Sequence, residues 1–107
     1  MQRRGRPDVL YVIIGRDAPG SLSTRLRVRA RHLDRVCELS DAGRVVLAGP
    51  CPATDTPDPG AAGFAGSIIV AEFPSLAEAR EWIAGDPYVT DGVFESYEVM
   101  PFVKVLP

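Results

Sequence analysis

The sequence predicts an α+β fold of the ferredoxin-like type, with the element order β-α-β-β-α-β. Short apolar runs rich in β-branched residues alternate with two longer amphipathic segments. Glycine, proline and capping residues separate these segments. Right-handed crossovers would place both helices on one face of a four-stranded antiparallel sheet. The chain has 107 residues, of which 46% are apolar and 24% charged, as expected for one globular domain.

The first half of the chain predicts a tail, a strand, a helix and a second strand. Residues 1–8 carry three arginines, and we expect them to form a disordered basic tail before a single domain at 9–107. Both predicted strands are apolar on both faces, so both faces require burial. The elements are a strand at 9–15, a helix from Ser21 or Ser23 to about Ala42, and a strand at 45–48.

The second half begins with a long loop at residues 49–66, which contains four prolines and four glycines. Loops of this length are often either lids or disordered excursions. Ser75 and Glu78 form a capping box, and Gly85 and Pro87 end the helix that it opens. The remaining predicted elements are a strand at 67–73, the helix that starts at Ser75, a connection at 88–92 and a strand at 93–102.

The first predicted helix carries the only histidine of the chain. At about 100° per residue, His32, Arg25 and Arg29 lie within roughly 60° of one another. Arg29 falls inside the apolar stripe, with Arg25 and His32 at its margin. The residues of this stripe are Leu22, Leu26, Leu33, Val36 and Cys37.

A charge within an apolar face is costly unless it is paired, and two interpretations of this cluster remain open. In the structural interpretation, Arg29 pairs with a carboxylate beneath the helix and His32 is a satisfied boundary residue. In the functional interpretation, Arg25, Arg29 and His32 line a pocket for an anionic ligand, and His32 carries a proton. The other arginines of the helix are expected to be solvated, namely Arg27, Arg31 and Arg35.

The predicted topology gathers further polar residues at one end of the sheet. Either Asp86 or Asp17 could orient the imidazole of His32, while an arginine holds an anion. The residues expected near one another are Asp17, Arg25, Arg29, Ser67, Asp86 and Tyr88, with His32 about two turns along the helix and the Gly49–Pro50 turn alongside.

A set of short motifs extends over nearly the whole domain. They are Arg29-x-x-His32-Leu33, Gly43-x-x-x-x-Ala48-Gly49-Pro50, Gly63-Phe64-x-Gly66-Ser67, Ala79-x-x-Trp82, Asp86-Pro87-Tyr88-Val89-x-x-Gly92-Val93 and Pro101-Phe102. In order and spacing, from Tyr11 to about Val105, they resemble the YciI-like family of small bacterial proteins.

The resemblance implies a dimeric α/β barrel related to ferredoxin-like folds and to muconolactone isomerases. It also implies that a histidine and the aspartate of the Asp-Pro motif are a proposed catalytic pair, which here match His32 and Asp86. One branch of the family eliminates chloride from a chlorinated hydroxyquinol. Acid–base chemistry on small ring compounds is therefore within the reach of the family.

The apolar strands and the composition predict the partners of the chain. The sheet face without helices would remain exposed in a monomer, so we expect a homodimer formed through this face, with a monomer as the alternative. The net charge of −2 gives no reason to expect nucleic acid or a membrane as a partner. No metal cluster or cofactor motif is evident. Two cysteines without a pairing motif, Cys37 and Cys51, suit a cytoplasmic protein.

Three hypotheses for function remain open. The first is a cofactor-independent lyase or isomerase for a small anionic or phenolic compound, in which the loop at 51–65 excludes water. The second is a non-catalytic ligand-binding or regulatory module, and the third is an interaction protein that recruits another chain. In the enzyme hypothesis His32 moves the proton and Asp86 or Asp17 orients it, and the substrate-binding residues are Arg25, Arg29, Ser67 and Tyr88, beside Gly49 and Pro50.

Overall fold

The computed structural model describes residues 9–107, and the predicted tail at 1–8 lies outside the described residues. The described residues form four strands, three helices and a single 3₁₀ turn. In chain order these are β1 (Leu10–Asp17), α1 (Leu22–Asp41), β2 (Val45–Pro52), the 3₁₀ turn (Gly60–Ala62), β3 (Phe64–Glu72), α2 (Leu76–Ala84), α3 (Pro87–Thr90) and β4 (Phe94–Phe102).

The strands form a four-stranded antiparallel sheet in the order β2-β3-β1-β4. In the middle of the sheet, Ile13 of β1 lies opposite Ile69 of β3 on one side and Val99 of β4 on the other. The predicted α+β class and antiparallel sheet are confirmed. The prediction of two helices was incomplete, because α3 occupies part of the segment that was expected to be a connection.

One face of the sheet packs against both long helices. Side chains of β1 alternate, so Tyr11 and Ile13 are buried on this face while Val12 and Ile14 are only half-buried on the other. The core between sheet and helices comprises Tyr11, Ile13, Ile69, Ala71 and Phe73 from the strand side and Val28, Val36, Leu39, Ala79 and Ile83 from α1 and α2.

The buried face of α1 differs from the predicted stripe. Leu26 is 58% exposed and Cys37 is exposed, whereas Arg25 and His32 are buried. The helix is therefore rotated by roughly 100° from the orientation that its leucines predicted. A helical projection of the sequence treats Arg25 and His32 as polar residues. It contains no information about the distant carboxylates that make their burial favourable. The buried residues of α1 are Arg25, Val28, His32, Val36 and Leu39.

Strands β2 and β3 extend further than predicted into the segment that was expected to be a loop. Pro50 lies opposite Ser67, and Pro52 lies opposite Phe64, so Gly49, Pro50 and Ser67 are strand residues. Proline is tolerated in β2 because β2 is an edge strand. Most residues of β2 are exposed in the single chain, so burial of both faces of this strand would require a partner.

The connection after β3 places Asp86 in the interior. Ser75 caps α2 as predicted, and its Oγ accepts a hydrogen bond from the backbone N–H of Glu78 at 3.1 Å. After α2, Asp86 caps the short helix α3, which has Pro87 at its first position. The N-cap position fixes the backbone of Asp86. The carboxylate of Asp86 points into the protein, and the residue is 0% exposed.

The other sheet face carries an apolar surface that no described residue covers. Leu47 is 53% exposed and Met100 42%, and both lie on this face together with Phe102 and the half-buried Val12. Such a surface is typical of an interface. No helix within residues 9–107 has the length and apolar character needed to cross a membrane.

A candidate active site between the first helix and the sheet

A cavity of about 200 Å³ lies between α1 and the strands β2 and β3. Its wall combines cationic, hydroxyl and apolar side chains, which suits a small polar ring or a short carboxylic acid. The lining residues are Arg25, Arg29, His32, Leu33, Val36, Ala48, Gly49, Pro50, Ser67, Ile69 and Tyr88.

His32 and Asp86 form a buried pair at this cavity. The Nδ1 atom of His32 lies 2.8 Å from Oδ1 and 3.0 Å from Oδ2 of Asp86. The histidine comes from the middle of α1 and the aspartate from the N-terminus of α3, so the pair joins residues 54 positions apart. Since Nδ1 faces the carboxylate, the imidazole presents Nε2 on its other side.

Asp86 accepts two further hydrogen bonds. The backbone N–H of Tyr88 donates to Oδ1 at 2.9 Å, and the guanidinium of Arg35 donates to Oδ2 at 3.0 Å. A carboxylate surrounded by donors acts only as an acceptor, so Nδ1 of His32 carries the proton of this contact. In a neutral imidazole Nε2 then holds the free lone pair, which is the form that a general base requires.

Tyr88 stabilises the imidazole from its face. The two rings are stacked with centroids 3.9 Å apart and planes inclined by 11°. Phe94 contacts Tyr88 edge-on at 5.4 Å, and the Phe94 ring occupies the space beside Gly15 in which a Cβ atom would overlap it. Burial raises the pKa of the Tyr88 phenol, which the charges of Arg25 and Arg29 only partly oppose.

Arg25 forms a second buried cluster next to the first. Its Nε and one terminal nitrogen donate to the two carboxylate oxygens of Asp17 at 2.7 and 2.8 Å, and the same nitrogen donates to Oγ of Ser67 at 3.0 Å. Burial alone would lower the pKa of Arg25, but the hydrogen bonds and charge of Asp17 outweigh it and raise the pKa. The guanidinium lies 4.6 Å from the ring centroid of Tyr88, so the two clusters are in contact.

Arg29 differs from Arg25 in both exposure and partners. Arg29 is exposed, so the prediction that it lies inside the buried apolar stripe of the helix was wrong. It lines the cavity, and no residue in the range 9–107 forms a hydrogen bond or ion pair with it. Its guanidinium is therefore the cation that the described part of the cavity leaves available for an anion, whereas Arg25 is occupied by Asp17.

The structure brings the predicted residues together in two groups. Of the two carboxylates left open by the sequence, Asp86 contacts His32 and Asp17 contacts Arg25. Ser67 and Tyr88 lie where the two groups meet, and Gly49 and Pro50 line the cavity from β2. The predicted polar residues therefore lie next to one another around a single cavity.

Arg35 was expected to be solvated, but it is a further residue of this site. Arg35 donates to the Asp86 carboxylate at 3.0 Å and to the backbone carbonyl of Trp82 at 2.8 Å. It follows His32 by three positions, a spacing that places two side chains on neighbouring parts of one helix face. That spacing was the available signal, because any carboxylate bound by His32 also lies within reach of Arg35.

The fold and this geometry define a class of protein, a small α+β domain that holds a buried histidine–aspartate pair beside a cavity. Within that class, the chain belongs to the YCII-related domain family, whose pattern it matches over residues 9–103. The family predicted from the sequence motifs is therefore confirmed.

Individual relatives cover most of the chain. It is 54% identical to protein YciI of Escherichia coli O6:H1 over 97 residues, which is 91% of this chain and 99% of that protein. It is 46% identical to an uncharacterized protein of Haemophilus influenzae over 95 residues, 89% of this chain and 97% of that protein. These matches show close homologues of nearly equal length.

A solved structure has the same fold. The 5-chloro-2-hydroxyhydroquinone dehydrochlorinase TftG from Burkholderia phenoliruptrix AC1100, in complex with 2,5-dihydroxybenzoquinone, matches with a TM-score of 0.77. The sequence identity is 26%, and the match covers 88% of this chain and 93% of that chain. The fold is therefore one on which a small-molecule enzyme is built.

Proposed function

We propose that this protein is a cofactor-independent acid–base enzyme, a lyase or isomerase, that acts on a small anionic or phenolic ring compound. The observation that carries the proposal is the His32–Asp86 pair, in which Nδ1 is held at 2.8 Å by a carboxylate that is 0% exposed. This arrangement directs Nε2 away from Asp86 beside a cavity that Arg29 also lines, a cation without a partner among residues 9–107.

The proposed chemistry is a proton transfer at Nε2 of His32. Nε2 takes a proton from a carbon next to a carbonyl group, the electron pair of the broken C–H bond forms a C=C bond, and the carbonyl oxygen becomes the enolate oxygen. Arg29 binds the anionic group, and Ser67 can donate its hydroxyl proton because its Oγ already accepts from Arg25. In an isomerisation the imidazolium then returns the proton at another carbon. In an elimination the enolate electrons re-form the carbonyl group and expel an anionic leaving group, and the imidazolium gives its proton to solvent.

The size of the cavity and the neighbouring structure support the substrate class. About 200 Å³ accommodates one six-membered ring with a few substituents, and Leu33, Val36 and Ile69 supply an apolar wall for its faces. TftG was solved with 2,5-dihydroxybenzoquinone, an acidic ring of this kind. That compound is therefore a suitable first probe.

Deuterium exchange tests the proposal without knowledge of the natural substrate. The protein is incubated in D₂O with a series of hydroxylated cyclic ketones that carry a C–H bond next to the carbonyl group, and loss of C–H signals is followed by proton NMR. The ring C–H bonds of 2,5-dihydroxybenzoquinone are vinylic, so this compound serves as a competing ligand. We expect the wild type to accelerate exchange for at least one compound and His32→Ala to abolish it. An equally active His32→Ala variant would contradict the acid–base role, and an unfolded one would favour the structural interpretation of His32.

A second candidate function is ligand binding without catalysis. It is favoured by the guanidinium of Arg29, which lines the cavity and has no partner in the described range 9–107. This function requires the cation and the cavity but no proton transfer. Calorimetric binding of the same acidic compounds would then survive His32→Ala and be lost with Arg29→Ala. Arg27→Ala is the matched control, because Arg27 is exposed on the same helix and is not among the residues that line the cavity.

We further propose that two copies associate through the apolar sheet face to form the predicted dimeric barrel. Leu47, Met100 and Phe102 support this proposal, since all three are more than a third exposed on the face opposite the helices. Light scattering would measure the mass in solution. A monomer at micromolar concentration would contradict the proposal, as would a dimer that persists in Leu47→Glu/Met100→Glu.

A cytoplasmic location is the proposal that best suits the thiols. Cys37 and Cys51 are both free in the structure, and Cys37 is exposed. Exposed free thiols are typical of proteins in reducing compartments. Fractionation of the native host would test the location.

A further inference from the structure

Arg35 approaches the buried carboxylate from a second cleft. This cleft has a volume of about 350 Å³ and is lined in part by Arg44, Phe73 and Trp82. The guanidinium of Arg35 lies 4.5 Å from the centroid of the Trp82 ring, and its two terminal nitrogens donate to Asp86 and to the Trp82 carbonyl. These three contacts fix the guanidinium against Asp86, although the Arg35 side chain is 27% exposed.

The charges around Asp86 require a cation. The carboxylate is 0% exposed, and its donors are Nδ1 of His32, the backbone N–H of Tyr88 and Arg35. A buried carboxylate is costly unless a positive charge and hydrogen bonds compensate it. When His32 is neutral, Arg35 is the only cation in hydrogen-bond contact with Asp86 among residues 9–107.

The groups that face His32 lead to the same requirement. Asp86 contacts Nδ1, the neutral phenol of Tyr88 covers one face of the ring, and Arg25 and Arg29 share the cavity wall. Arg25 is neutralised by Asp17. Without Arg35, the Asp86 charge would favour protonation of Nε2, because the resulting imidazolium would compensate it. Protonation would remove the lone pair that a base needs.

We infer that Arg35 is a positioning residue that keeps Asp86 charged while His32 remains neutral. By carrying the compensating charge, Arg35 leaves the Nε2 lone pair of His32 free, and by its bond to the Trp82 carbonyl it holds that charge in place. This inference deepens the proposed function and rests on it for its catalytic meaning, but its physical content concerns only the charge state of His32.

The charge state can be measured directly because His32 is the only histidine in the chain. Nitrogen NMR of the ring distinguishes the Nδ1–H form, the Nε2–H form and the imidazolium. At pH 7.5 we expect wild-type protein to show the neutral Nδ1–H form. In Arg35→Gln the imidazolium fraction should rise by about fivefold or more, and Arg35→Lys, which keeps the charge, should restore most of the neutral form.

Arg31→Gln is the matched control. Arg31 lies one turn before Arg35 on α1 and also pairs with an aspartate, but its partner Asp91 is outside the site. This variant should leave the nitrogen signals of His32 unchanged. Folded Arg35→Gln protein with the wild-type signals would overturn the inference, and so would an equal change in Arg31→Gln.

Loss of folding in Arg35→Gln would also be informative. If the variant unfolds because it leaves the Asp86 charge uncompensated, then Arg35→Gln/Asp86→Asn should fold again. A double variant that remains unfolded would overturn the inference. The NMR result is independent of turnover, so absence of exchange activity with a confirmed shift in His32 would contradict the enzyme proposal alone.

Discussion

The imidazole of His32 is stacked on the phenol ring of Tyr88, with the ring centroids 3.9 Å apart. Tyr88 is the second residue of α3, and its backbone N–H donates to the capping carboxylate of Asp86, the partner of His32. A single short helix thus supplies both the carboxylate at the edge of the imidazole and the aromatic surface at its face. The ring has little freedom to rotate, which fixes the direction in which Nε2 points.

Asp86→Asn should reduce proton-exchange activity by about 100-fold or more, because an amide no longer selects the Nδ1–H form of His32. The fold should be retained, since asparagine is also a good N-cap for the Tyr88 N–H. Exchange rates and nitrogen NMR of His32 measure the two effects. Asp34→Asn, on the exposed side of α1, is the control, and wild-type rates in Asp86→Asn would refute the role of the carboxylate.

Arg25→Ala should destabilise the protein by about 3–5 kcal/mol, because it leaves Asp17 buried without its cation. Urea unfolding measures the difference in the free energy of unfolding. The matched control is Arg27→Ala, which removes an exposed ion pair to Asp91 at 4.0 Å and should change stability by less than about 1 kcal/mol. Equal losses in the two variants would show that burial of the Arg25 pair has no energetic consequence.

Gly15→Ala should destabilise the site through Phe94. A Cβ atom at Gly15 would overlap the Phe94 ring, which must then move away from Tyr88, at a cost of about 1–3 kcal/mol. Thermal unfolding and near-ultraviolet circular dichroism would detect the change. Gly49→Ala is the control for stability, since a Cβ atom there meets no atom within 4 Å. Comparable melting temperatures for both variants would argue against tight packing at Gly15.

The buried phenol of Tyr88 should make the free energy of unfolding depend on pH in the alkaline range. Its pKa is raised by burial above the usual value of about 10, so the unfolded chain loses this proton first. The stabilisation is fully present below about pH 10 and is lost as the pH rises through the pKa of the folded state. Tyrosinate absorbance should show a late-titrating phenol that is absent from Tyr88→Phe.

The same variant provides the stability comparison. Unfolding free energies measured between pH 8 and pH 11 should fall less steeply in Tyr88→Phe than in wild type. Parallel curves would indicate that Tyr88 does not contribute to the alkaline decline. Because phenylalanine preserves the ring, the stacking on His32 is retained in this comparison.

Local patterns were sufficient for the class of fold and for several of its boundaries. The β-branched apolar run of β1, the Ser75 cap of α2 and the glycine that follows α1 are short-range features, and each acts where the sequence indicated. The Asp-Pro motif likewise marks a short-range feature, because Asp86 caps α3 and Pro87 occupies its first position. Local propensity could not predict the length of β2 and β3, because their pairing depends on contacts between residues such as Pro50 and Ser67.

The sequence by itself determined the α+β class, the family and the residue types available for a site. Only the tertiary structure decided which charges pair, because the partners lie far apart in the chain: His32 with Asp86, Arg25 with Asp17, and Arg35 with Asp86. Those pairings also decided the rotation of α1. Burial of Arg25 and His32 becomes favourable once carboxylates compensate them, and this outweighs the burial of Leu26 that a hydrophobic pattern predicts.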